Sequence, residues 1–105
     1  MKPIRYIITS MLKSLISEEY QTQLTNAIQS IYPKEQYDMY VIEPNEENEE
    51  LMNIKIAGYH LETGELEEER IAGTIKAPAN SPVIWVKFDD YGDYDVCTLL
   101  LPSEW

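Results

Sequence analysis

One stretch of this chain carries a clear helical period, and that fact restricts the fold more than any other. From Ser17 onward, Tyr20, Leu24, Ala27, Ile28 and Ile31 recur at spacings of three and four. Ser17 is placed to cap the segment, Glu18 and Glu19 occupy the first turn where the helix dipole favours carboxylates, and Pro33 stops it near Tyr32. Spacing leaves open whether Met11 to Ile16 forms an earlier helical turn or only a connection.

Elsewhere the period is two. Ile4, Tyr6 and Ile8 mark a short strand before the helix, and Tyr37, Met39 and Val41 mark one after it that ends at Glu43-Pro44. Leu51 to Leu61 and Leu66 to Ile75 read as the arms of a hairpin hinged at Glu62-Thr63-Gly64-Glu65, with Gly64 supplying the positive φ of the turn. Ile-Ala-Gly occurs in both arms, at 56–58 and 71–73; such paired small residues let another element approach, and the helix is the expected visitor. Val83 to Phe88 has the composition of a central strand, and Asp95 to Leu101 returns from the Asp89–Asp93 turn as the last one. Helix and strands are segregated rather than alternating. The expected class is α+β: one amphipathic N-terminal helix on a curved antiparallel sheet or half-barrel of about five to six strands, its later strands in meander-like order, with residues 1–105 forming a single domain.

Charge narrows the functional classes. The chain has 19 acidic against 8 basic side chains, a net charge of −11. Binding to nucleic acid or an anionic membrane runs on Lys and Arg displacing counterions, so neither is an expected direct partner. The apolar runs fall far short of the roughly 20 residues that span a bilayer, no leader-like h-region follows the basic start, and the lone Cys97 suits a reducing compartment. A cytoplasmic location is the expectation.

The negative charge is unevenly distributed. Residues 1–40 hold four basic and four acidic side chains, whereas 41–105 hold four basic and fifteen acidic ones and therefore carry the entire −11. Three clusters, Glu46–Glu50, Glu62–Glu69 and Asp89–Asp95, lie at turns or strand ends, with Tyr59, Tyr91, Tyr94 and Trp105 among them. On one reading they only keep a β-rich protein dissolved and discourage edge pairing. On another they imitate nucleic acid: alternate strand residues are about 6.7 Å apart and neighbouring strands about 4.8 Å, so clustered carboxylates approach the charge density of duplex DNA, and Tyr rings stand in for bases.

No motif states a chemistry. His60, the only histidine, faces Glu67 or Glu69 depending on hairpin register and reads as a surface ion pair; Cys97 reads as a packed core thiol. The Asp89–Asp95 turn has carboxylates enough to suggest calcium, but Tyr91 occupies a position an EF-hand loop gives to a ligand. No catalytic residue, cofactor or metal is expected.

Arg5-Tyr6, Tyr37 to Glu43, Phe88-Asp89-Asp90 and the closing Thr98-Leu99-Leu100-Leu101-Pro102-Ser103-Glu104-Trp105 resemble a family of small proteins of Gram-positive bacteria known as domain of unknown function 960. Its members open with an Arg-Tyr strand followed by a helix and close with Leu-Leu, Pro and an aromatic. The resemblance implies a cytosolic protein, often of phage-rich or mobile-element-rich genomes, and assigns no residue a role.

Together these readings give a non-enzymatic acidic domain whose partner-binding face comprises Glu62, Glu65, Glu67, Glu68, Glu69, Asp89, Asp90, Tyr91, Asp93, Tyr94 and Asp95. Its expected partner is a basic protein surface, most concretely the nucleic-acid groove of a nuclease or other DNA-acting enzyme blocked by a phage or mobile-element inhibitor. The alternative is a cytosolic regulatory or interaction module, monomeric or homodimeric through a sheet edge, whose acidity is only solubilising.

Overall fold

The computed structural model describes residues 2–67 and 69–105. In chain order the elements are β1 (Ile4–Ile8), α1 (Ser10–Leu15), α2 (Glu18–Ile31), β2 (Met39–Pro44), β3 (Leu51–Ile56), β4 (Arg70–Lys76), β5 (Ile84–Asp90) and β6 (Asp95–Leu100), closed by a 3-10 turn at Pro102–Glu104. The strands form one open six-stranded sheet in the order β1-β6-β5-β2-β3-β4. This is the expected α+β arrangement.

α2 starts and stops where its sequence dictates. Ser17 Oγ accepts from the Tyr20 amide at 3.1 Å, Glu18 and Glu19 fill the first turn, and Tyr32 caps the end ahead of Pro33. The open question at Met11–Ile16 resolves as α1, whose N-cap is Thr9. Thr9 also donates to Glu104 Oε1 at 2.7 Å, tying the last turn of the chain to the first helix.

Parity along the strands divides the sheet into two faces. Tyr40 and Ile42, Met52, Ile54 and Ile56, Ile84, Val86 and Phe88, and Cys97 and Leu99 are buried beneath Leu12, Tyr20, Leu24 and Ile28 of the helices. Burial on this scale, at about 25 cal/mol per Å² of apolar surface, is the main source of stability. On the opposite face, Trp85 meets Trp105 edge-to-face at 5.4 Å between ring centroids, and the Lys87 ammonium lies 5.3 Å from the Trp105 ring.

Meander-like order holds only in part. β2 is flanked by β3 and β5, so the hairpin β3–β4 forms one wing, while β5–β6 returns to the other side. β1 joins β6 in parallel, so the sheet is mixed rather than wholly antiparallel as expected.

Both glycines of the repeated tripeptide lie in close contacts, but with different visitors. A Cβ on Gly73 would stand 3.1 Å from Ile31 Cδ1, so α2 approaches there as expected. At Gly58 the neighbours are the Asp38 side chain and the Met39 amide, the entry to β2 rather than the helix. Gly64 has φ of 72°, in keeping with its turn.

No helix among the described residues is long and apolar enough to cross a membrane.

Candidate functional site: an acidic cleft at the strand ends

Two of the three acidic clusters meet at one cleft. The hairpin tip brings Leu61 and Glu62 against the end of α2, and the β5–β6 turn brings Asp90 and Asp95 to the same place. Lys2, Ile4, Tyr32, Pro33 and Gln36 complete a cleft of about 480 Å³. Its charged lining is three carboxylates to one ammonium.

Asp95 forms the floor. It is 7% exposed, because the first residue of β6 points to the helix face, and its Oδ2 accepts from the Tyr32 hydroxyl at 3.1 Å. Burial, followed by the neighbouring Asp95 charge, raises the Tyr32 pKa above that of an ordinary phenol, so the hydroxyl remains a donor. The Tyr32 ring is itself fixed by stacking on Phe88, 3.9 Å between centroids and 6° from parallel.

Lys2 bridges the rim. Its ammonium sits 2.5 Å from Asp90 Oδ1 and 3.4 Å from Asp95 Oδ1. The Lys2 hydrogen bond, then the Gly92 amide donating to Asp90 Oδ1 at 2.8 Å, hold the Asp90 carboxyl below the usual aspartate range. Reciprocally, the Asp90 hydrogen bond raises Lys2. Lys2 thus already pairs with two of the three carboxylates of the cleft.

The other expected site residues are dispersed. Glu65 and Asp93 are exposed turn residues with no ion pair among the described residues. Glu67 lies 3.6 Å from Arg70 Nε, Asp89 lies 3.7 Å from Lys87 Nζ on the open face, and Glu68 falls outside the described residues. Glu69 belongs to a different groove: it lies 3.8 Å from Lys55 Nζ and shares a concavity of about 420 Å³ with Glu43, Glu46 and Glu47. Tyr91 is 61% exposed and leans on Tyr94 at 5.6 Å, while the Arg5 guanidinium covers the Tyr94 ring at 4.3 Å. Of the expected face, Glu62, Asp90 and Asp95 thus share one cleft, Glu69 lies in a second groove, and Glu65, Glu67, Asp89 and Asp93 line neither.

His60 is not the surface ion pair expected of it. Its Nδ1 accepts from the amides of Glu62 at 3.1 Å and Thr63 at 3.2 Å, capping the hairpin turn, and its ring stands edge-on to Tyr37 at 5.0 Å. The hairpin turns back at Glu62–Gly64, and the imidazole is closer to those amides than to Glu67 or Glu69. Cys97 is fully buried, and burial pushes its thiol pKa up, which makes it an inert core residue.

Local pattern gave no warning of Lys2, Tyr32, Pro33 or Gln36. Lys2 and Tyr32 reach Asp95 across 93 and 63 residues of sequence, and only the parallel β1–β6 pairing sets the chain start beside the last strand. Neither family models, curated proteins nor solved structures give a match to this chain.

Proposed function

We propose that this chain is a non-enzymatic, cytosolic protein-binding domain that docks the acidic cleft end of its sheet on a basic partner, most concretely the nucleic-acid groove of a DNA-acting enzyme. The observation that supports the reading is the convergence of Glu62, Asp90 and Asp95 on a cleft that also presents apolar Ile4, Pro33 and Leu61 beside Lys2, Tyr32 and Gln36. A Lys or Arg side chain has this dual character: its stem packs on apolar surface while its head meets carboxylates. Exposed Glu65 and Asp93, on the same turns as Glu62 and Asp90, add to the negative field, and the Tyr91 ring is largely exposed.

The test is competition. Titrated into complexes of duplex DNA with a panel of basic enzymes, such as uracil-DNA glycosylases, restriction endonucleases and CRISPR nucleases, the protein displaces DNA from its target, and displacement weakens steeply as salt is raised. The triple variant Glu62→Lys, Glu65→Lys, Asp93→Lys changes only exposed side chains, so it keeps its unfolding temperature and loses the competition. Failure to displace DNA from any member, or undiminished competition by the triple variant, overturns the proposal.

A further inference from the structure

The two edges of the sheet differ in how they are protected. β4 carries the usual defences: a register shift opposite Ile54/Lys55, Lys76 at its end, and Arg70 held by Glu35 through two hydrogen bonds of 3.0 and 2.8 Å. α2 also lies over it, with Ile31 against Gly73. β1 has none of these. It is five regular residues with one charged side chain, Arg5, whose guanidinium is turned onto Tyr94.

Its outer backbone is free. Pro3 O accepts from the Asp95 amide at 3.0 Å, and the Thr9 amide donates to Leu99 O at 3.1 Å, so the odd-numbered groups face β6. By alternation the N–H and C=O groups of Ile4, Tyr6 and Ile8 point outward, and they have no backbone partner among the described residues. On the same strand Ile7 exposes an apolar side chain, 51% accessible, on the open face.

We propose that the free edge of β1 pairs with the same edge of a second copy of this chain. Charge selects that occupant. Residues 1–17 contain no Asp or Glu, so on a chain of net charge −11 this is the stretch that two copies can bring together without opposing carboxylates. The sequence of β1 is also self-complementary about a two-fold axis at Tyr6. Antiparallel pairing there sets Ile4 opposite Ile8 and Tyr6 opposite Tyr6, with every outward N–H and C=O used, and places Arg5 of one copy opposite Ile7 of the other on the open face. No like charges are directly opposed, and two six-stranded sheets become one. Ile4 borders both this edge and the acidic cleft, but Ile7 lies on the open face and outside the cleft lining, so it probes the pairing separately from the docking reading.

Sedimentation equilibrium of the full chain over a wide concentration range tests it, with Ile7 as the register probe. Ile7 is exposed, so charged replacements leave the fold intact, which thermal unfolding verifies. Ile7→Lys sets like charges opposite Arg5 at two symmetric positions and weakens the dimer, whereas Ile7→Glu sets opposite charges there. The two dissociation constants differ by about fivefold or more, with Ile7→Glu the tighter. Adding Arg5→Glu to Ile7→Lys restores pairing. In the native protein, the amides of Ile4, Tyr6 and Ile8 gain protection from hydrogen exchange as concentration rises. A chain that stays monomeric throughout, or equal weakening by Ile7→Lys and Ile7→Glu, overturns the proposal.

Discussion

Asp95 separates structural from docking roles within the acidic cleft, and a double-mutant cycle with Tyr32 measures its share. Tyr32→Phe removes one hydroxyl while keeping the ring stacked on Phe88. The lost bond has a charged acceptor, a class that contributes about 1.5–3 kcal/mol, but at 3.1 Å it is long for O–H···O. We therefore place Tyr32→Phe at about 1.5 kcal/mol, or roughly 6–12 °C in unfolding temperature for a domain of this size. Asp95→Ala loses the same bond, strands a buried hydroxyl and releases Lys2. Relief of carboxylate desolvation offsets part of this, leaving about 2 kcal/mol. Both variants remove one shared interaction, so the double variant costs about 1 kcal/mol less than the sum of the singles. Urea unfolding monitored by tryptophan fluorescence supplies all four free energies. Additivity to within about 0.3 kcal/mol would refute the buried pair as a coupled unit.

Other consequences are open to direct measurement. Gly58→Ala puts a methyl against the Asp38 carboxylate and 2.8 Å from the Met39 backbone, which cannot give way, whereas at Gly73 the obstacle is the tip of Ile31. Gly58→Ala thus destabilises by about 2 kcal/mol or more and Gly73→Ala by about 1 or less, and the reverse order in chemical denaturation contradicts the close approach at β2. The Asp90 carboxyl is held below its ordinary 3.8, so its contribution is complete above that pH and fades as pH falls through the lowered value; Lys2, held above 10.5, contributes fully below 10.5 and loses its share only in stronger base. The Gly92 amide resonance, which reports the Asp90 bond, accordingly holds steady from neutral pH down to about 4 and moves only in stronger acid. Native Cys97 reacts with a small disulfide reagent no faster than the chain opens, and rapid labelling in the absence of denaturant would contradict its burial.

Much of the fold was legible because it rests on local rules. Ser17, the paired glutamates and Pro33 bound α2 through capping, dipole and ring geometry, and Gly64 turns the hairpin through its positive φ. α1 was less legible: Met11 and Leu15 stay exposed and only Leu12 is buried, so the segment lacks the apolar stripe that marks a helix. Register depended on more than alternation. His60 was expected opposite Glu67 or Glu69, and the turn amides claimed its Nδ1 instead.

For the candidate site, composition identified the residue types and the position of the clusters but not their grouping. That the entire −11 lies after residue 40, on turns and strand ends, is a property of the sequence alone, as is the absence of carboxylates from residues 1–17. Tertiary structure decided which carboxylates are neighbours. Parity in β6 turned Asp95 inward to Tyr32, strand order set Glu62 beside Asp90, and Glu69 went to a separate groove with Glu46. The parallel return of β1 to β6 delivered Lys2 to that rim and left one backbone edge unpaired. Period and capping act over a few residues and can be read along the chain; strand order is set by where the whole apolar surface finds cover, and that balance is settled only when every element is in place.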